Sequence, residues 1–166
     1  MKIIKKIFAI ISLLFSFSFF VHAEENKLPA FVETSIGKFV LESHEANYTC
    51  ITENDGKEIY LTVLFDSDGA KSKIIEAVGD LEREYLKLPE KEKQLCLYAA
   101  ENAAGGKYKD IISKTGRINS IMLIEKNDEN IFLYFFNTEE HIHGCDFVNV
   151  MCDLEGKPVG AYLYGW

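Results

Sequence analysis

Midway along the chain the spacing of apolar residues changes, and that change limits what the chain can fold into. Ile59 to Phe65 reads Ile-Tyr-Leu-Thr-Val-Leu-Phe, a nearly unbroken apolar run of strand length. Runs of this kind belong to central strands covered on both faces. Past Asp66-Ser67-Asp68-Gly69 the apolar residues recur at steps of four and three, and Ile74, Val78, Leu81, Tyr85 and Leu88 make one face of a helix. Ser67 or Asp68 is placed to cap it. Pro89 stops this helix and can open a second as its first residue. The second helix carries Leu95, Cys96, Tyr98, Ala99 and Ala103 and ends at Gly105-Gly106. Together they form a helical hairpin, with Glu82, Arg83, Glu90 and Lys91 turned to water and Cys96 near the side that meets a sheet.

Extended segments flank the hairpin. Phe31 to Glu42 alternates loosely around a turn or bulge at Ile36-Gly37, and Tyr48 to Thr52 is joined to Glu58–Phe65 through Asn54-Asp55-Gly56. Asn, Asp and Gly supply the positive φ angles of a tight hairpin turn. After Thr115-Gly116 come Ile118–Glu125 and Ile131–Asn137, linked by a polar loop, then His141–Asp153, then Val159–Trp166 after Glu155-Gly156-Lys157-Pro158. Strands, two helices, then strands predict an α+β domain. The expected architecture is a twisted antiparallel sheet of about six to seven strands, with the two-helix hairpin inserted mid-chain and packed on one face.

Residues 1–23 read as a cleaved signal peptide. Lys2, Lys5 and Lys6 precede an apolar run from Ile7 to Val21, and Val21-His22-Ala23 offers small residues where a signal peptidase cuts. The run is too short, and too soon followed by Glu24 and Glu25, for a transmembrane helix. Cleavage leaves residues 24–166 as a single exported domain, periplasmic or secreted, with one hydrophobic core. That domain holds 15 Lys and Arg against 26 Asp and Glu, a formal charge of −11. Such a field disfavours nucleic acid and anionic membrane surfaces and attracts a basic protein partner.

Four cysteines remain, Cys50, Cys96, Cys145 and Cys152. An even count in an oxidising compartment predicts two disulfides. Pairing Cys145 with Cys152 requires a bend near Asn149, because a straight strand advances roughly 3.3 Å per residue. Without the bend, Cys50 and Cys96 must take partners from the C-terminal pair.

The chemically suggestive string is His141-Ile142-His143-Gly144-Cys145. On an extended strand residues 141, 143 and 145 share a face, so His141 and His143, with a Cys145 thiolate, would suit copper or zinc. A disulfide at Cys145 would remove that thiolate, and two solvent-facing strand histidines are the simpler reading. Asp66-x-Asp-Gly resembles the start of a calcium loop, but its twelfth position is Ala77, which has no ligand atom. No Gly-x-Ser-x-Gly occurs, and Gly105-Gly106-Lys107 follows a helix where a phosphate loop would precede one. Alternation of Tyr162, Tyr164 and Trp166 suits an outer-membrane barrel strand, but the helical stretch and the cysteines argue for an edge strand whose aromatics form an adhesive patch.

No motif calls for a cofactor or assigns a catalytic residue, so the expected role is binding. The leading expectation is an exported acidic binding protein, an inhibitor or immunity-type protein that neutralises an enzyme. Glu139 and Glu140 would meet basic groups on the partner, and Tyr60, Tyr134, Tyr162, Tyr164 and Trp166 would serve as aromatic anchors. The alternatives are a copper or zinc protein using His141 and His143, and a small hydrolase whose carboxylate pair the sequence conceals.

Overall fold

A computed structural model describes residues 28–42, 47–65, 71–126, 129–140, 142, 145 and 147–164. The expected signal peptide, the Asp66–Gly69 turn with its cap, His141, His143 and Trp166 lie outside these residues. The elements run β1 (Phe31–Thr34), β2 (Gly37–Leu41), β3 (Asn47–Asn54), β4 (Lys57–Phe65), α1 (Lys71–Leu86), α2 (Leu88–Asn102), a 3-10 turn (Ala103–Gly106), α3 (Lys109–Thr115), β5 (Arg117–Lys126), β6 (Glu129–Asn137), β7 (Phe147–Cys152) and β8 (Pro158–Tyr164).

The class is α+β, and the helices are inserted mid-chain as expected. The sheet has eight strands in sequence order, β1 to β8. The turn falls one residue earlier than expected, at Ser35-Ile36, pairing Thr34 with Gly37 and dividing the first extended segment into two strands. Asp55 and Gly56 both take positive φ, 49° and 73°, closing the β3–β4 hairpin as its sequence demands.

Neighbouring strands are antiparallel except β4 and β5, which are parallel. Short hairpins join antiparallel neighbours, whereas a parallel pair needs a long crossover. The helical insertion is that crossover, and it lays α1 and α2 over one face of the sheet. Ile59, Leu61, Val63, Ile121, Leu123, Phe136, Val148 and Val150 point to that face and are buried with Ile74, Val78, Leu81, Leu95, Ala99 and Ile112 from the helices.

This arrangement corrects the reading of Ile59–Phe65 as covered on both faces. The alternate positions of β4 are not buried: Tyr60 is exposed, and Thr62 and Leu64 are half-buried. Glu82 is also less simply solvated than expected, since it accepts hydrogen bonds from Ser35 N (2.7 Å) and Ser35 Oγ (2.6 Å) and ties α1 to the β1–β2 turn. The third helix, α3, was not anticipated. Its seven residues are too short to show a helical period, and only Ile112 among them is fully buried.

Candidate functional site

Among the described residues no helix packs on the second face of the sheet, which carries several exposed large apolar side chains. Backbone pairing aligns Ile51, Tyr60, Ser120, Phe135, Asn149 and Tyr162 into a row across β3 to β8. A second row aligns Thr49, Thr62, Met122, Leu133, Met151 and Gly160. Phe147 and Tyr164 are paired next to the first row, and Phe147 meets Phe135 edge-on at 6.2 Å. Ile51 is 58 % exposed, Tyr60 47 %, and Tyr162 and Tyr164 52 % each. Exposed apolar patches on folded chains are typical of interaction surfaces. The Asn149 Oδ1 atom in the middle of the row is shielded and has no hydrogen-bond partner among the described residues.

Glu53 and Glu58 stand directly opposite each other on β3 and β4, on the same face and next to the Ile51–Tyr60 pair. The Tyr60 hydroxyl donates to Glu58 Oε2 at 3.3 Å. Neither carboxylate has an ion pair among the described residues. Like charges in register across two strands weaken a sheet by roughly 0.2–1 kcal/mol. The aromatic row therefore ends at unneutralised negative charge.

A second cluster lies in the interior, under the β7–β8 turn. Glu84 is buried, 2 % exposed, and its carboxylate accepts from Lys91 and from the Tyr134 hydroxyl, while Lys87 stands 3.5 Å away. Burial pushes the Glu84 carboxyl up, but the Lys91 ammonium, the Tyr134 hydroxyl and Lys87 together outweigh it and hold the group below the usual glutamate value. Tyr134 is raised far above an ordinary phenol by burial and by the facing carboxylate. Gly156 closes the cluster from above at φ +73°, where a Cβ would press on Lys91 Nζ and lie 2.6 Å from Glu84 Oε1. The positive φ favours glycine there, and a side chain would displace the ends of Lys91 and Glu84.

This cluster revises two expectations. Lys91 is drawn into it and does not stand free in water, and Tyr134 is a fully buried member of the core and no surface anchor. The partners of Glu84 are two cations and a phenol, with no second carboxylate among them. One signal for the cluster was present in the sequence: Glu84 follows Leu81 by three and precedes Leu88 by four, so it lies within the apolar stripe of α1.

The expected disulfides are absent. Cys50, Cys96, Cys145 and Cys152 are all free and buried. β7 runs straight through Asn149, which pairs with Phe135 on one side and Tyr162 on the other, so the bend needed to join Cys145 to Cys152 does not exist. Cys50 on β3 lies four strand steps from β7, roughly 19 Å at the usual strand spacing. Three of the sulfurs have local partners instead: Cys50 Sγ is 3.8 Å from Ile51 O, Cys96 Sγ 3.1 Å from Ile112 O, and Cys145 Sγ 2.9 Å from Phe147 O. Burial raises Cys50 and Cys96, and it pushes Cys152 up to about 12, with Lys91 partly opposing and Glu84 and Asp153 adding to the shift. Protonated, enclosed thiols make poor nucleophiles. Thiol titration without reductant is therefore expected to count four sulfhydryls in denaturant and far slower labelling in the native protein. A count below four would contradict the four free thiols seen here.

Of the other expected site residues, Tyr162 and Tyr164 lie on the open face. Glu139 and Glu140 are exposed just past β6, where Thr138 Oγ1 donates to Glu140 O at 2.7 Å. Cys145 is not on a strand, and its N–H donates to Ile142 O at 2.9 Å. Among the described residues no group of three or more His, Cys, Asp or Glu side chains is placed to hold a metal ion. No helix among them is long and apolar enough to cross a membrane. Comparison with protein-family models, with curated proteins and with solved structures finds no match to this chain.

Proposed function

We propose that this chain is an acidic protein-binding domain whose uncovered sheet face receives a basic surface of another protein. The observation that carries the reading is the aromatic row from Ile51 and Tyr60 to Tyr162 that ends at the opposed Glu53 and Glu58. Aromatic anchors surrounded by charge are the usual composition of a binding patch. A lysine or arginine brought between the two carboxylates removes the repulsion that the free sheet sustains. The formal charge of −11 on residues 24–166 draws a basic partner in from a distance. The leader read at residues 1–23 from sequence alone puts the meeting in an exported compartment.

Site-specific photocrosslinking in the producing cell tests this. A benzophenone side chain at Tyr60 or Tyr162 is expected to capture one discrete basic protein. The same group at Lys107, beside the 3-10 turn on the helical side, is expected to capture none. In the Glu53→Lys, Glu58→Lys background the adduct is expected to fall by about tenfold or more, since facing like charges across an interface cost several kcal/mol. Equal capture from all positions, an adduct insensitive to charge reversal, or capture only of a second copy of this chain would each overturn the proposal.

A further inference from the structure

On the helical side of the molecule, α2, the end of α3 and the start of β5 enclose a cleft of about 360 Å³. Glu92, Lys93, Cys96, Ser113, Lys114 and Arg117 line it. Three cations thus converge in a chain that is strongly acidic overall. None of the three makes an ion pair among the described residues. The one carboxylate present is already engaged, because Glu92 Oε1 accepts from Ile118 N at 3.0 Å and fastens α2 to the first turn of β5.

Capping the end of α3 does not account for these cations. Ile112 O already accepts from Gly116 N at 2.9 Å, and Ile111 O accepts from Thr115 Oγ1 at 2.9 Å. Arg117 Nη1 donates to Gly116 O at 2.9 Å, which orients the guanidinium and leaves its remaining N–H groups for another acceptor. The Cys96 thiol at the floor is 3.1 Å from Ile112 O, and burial keeps it protonated. The thiol is therefore a poor nucleophile, and the three cations are what the cleft offers a ligand.

We propose that this cleft binds a small organic oxyanion, its phosphate or carboxylate group gripped by the Arg117 fork and by Lys93 and Lys114 as point charges. Guanidinium matches the planar spread of such oxygens, and ammonium supplies charge without fixed geometry. The volume exceeds that of the anionic group alone, so the ligand carries a further portion, which lies against Pro89 and Leu97 at the margin. This site is separate from the open sheet face and does not depend on that face's function.

Amide chemical-shift titration of the full chain tests the site, with inorganic phosphate in one arm and acetate in the other, each against sodium chloride at equal ionic strength. Saturable shifts at the amides of Lys93, Ser113, Gly116 and Arg117 are expected, and the arm that saturates at lower concentration identifies the preferred group. Arg117→Gln is expected to weaken binding by about tenfold, the effect of one charged hydrogen bond. Lys114→Gln, at another exposed position, gives a second reading should the first variant fail to fold. Lys107→Gln, outside the cleft, is expected to leave binding unchanged. Shifts that follow ionic strength alone, or a saturable shift indifferent to both cleft variants, would overturn the assignment.

Discussion

Glu84→Ala is expected to lower the stability of the fold by about 3–5 kcal/mol, the usual result of removing one partner from a buried ion pair. The loss is large against the roughly 5–15 kcal/mol that holds a domain of this size together. It arises because Lys91 and the Tyr134 hydroxyl both lose their acceptor while remaining enclosed beneath Gly156. Glu84→Gln keeps the volume and one acceptor for Tyr134, so it should lose less. Combining Glu84→Gln with Lys91→Met removes both charges together, and the double variant is expected to recover part of the loss. Urea denaturation of the parent, Glu84→Gln, Lys91→Met and the double variant measures the coupling. Strictly additive losses would show that the two side chains do not act as a pair.

The same cluster sets a pH dependence with a definite sign. The folded-state value of Glu84 lies below its ordinary 4.5. Its contribution is therefore complete above that value and disappears as the pH falls through the lower folded value. Tyr134 is raised above its ordinary 10.0, so the stability linked to its phenol is complete below 10.0 and is lost as the pH rises further. Urea midpoints measured across both ranges should fall at each end, and the acid decline should be shallower in Glu84→Gln. An unchanged acid decline in that variant would place the responsible carboxylate elsewhere.

Those parts of the fold that follow from local rules were legible in the chain. The Asn54-Asp55-Gly56 hairpin and the helical period that begins at Ile74 each depend on neighbours close in sequence, and both are present, but the first helix ends at Leu86, Leu88 opens the second, and the second ends at Asn102, ahead of Gly105-Gly106. What escaped depends on partners far away along the chain. Tyr134 and Glu84 are fifty residues apart, and nothing near either one announces the other. The parallel pairing of β4 with β5 is a property of the crossover and not of either strand. The cysteines show the limit of counting, since an even number says nothing about whether the fold brings two sulfurs together. The apolar run of β4 is unusual for a reason other than double burial: among the described residues the helices cover one face, and the remaining apolar positions lie on the other. A binding face and a doubly buried strand share one sequence signature, and only the topology separates them.

Gly116→Ala is expected to cost about 1–3 kcal/mol from overpacking. The reason is space and not backbone conformation, because Gly116 has an ordinary φ of −60°. A Cβ there would sit 2.5 Å from Ile112 O, 3.1 Å from Cys96 Sγ and 3.4 Å from Ile112 C. The carbonyl cannot retreat easily, since it accepts from Gly116 N at 2.9 Å and lies 3.1 Å from the Cys96 thiol. Nor can the chain swing outward, because Glu92 holds Ile118 N two residues further on. Thermal unfolding of Gly116→Ala, Cys96→Ala and the double variant locates the obstacle. If the backbone carbonyl is the barrier, removing the thiol leaves the alanine penalty nearly intact. If the double variant is no less stable than Cys96→Ala alone, the thiol was the barrier, and the tight closure of α3 onto β5 is set by a side chain that can be changed.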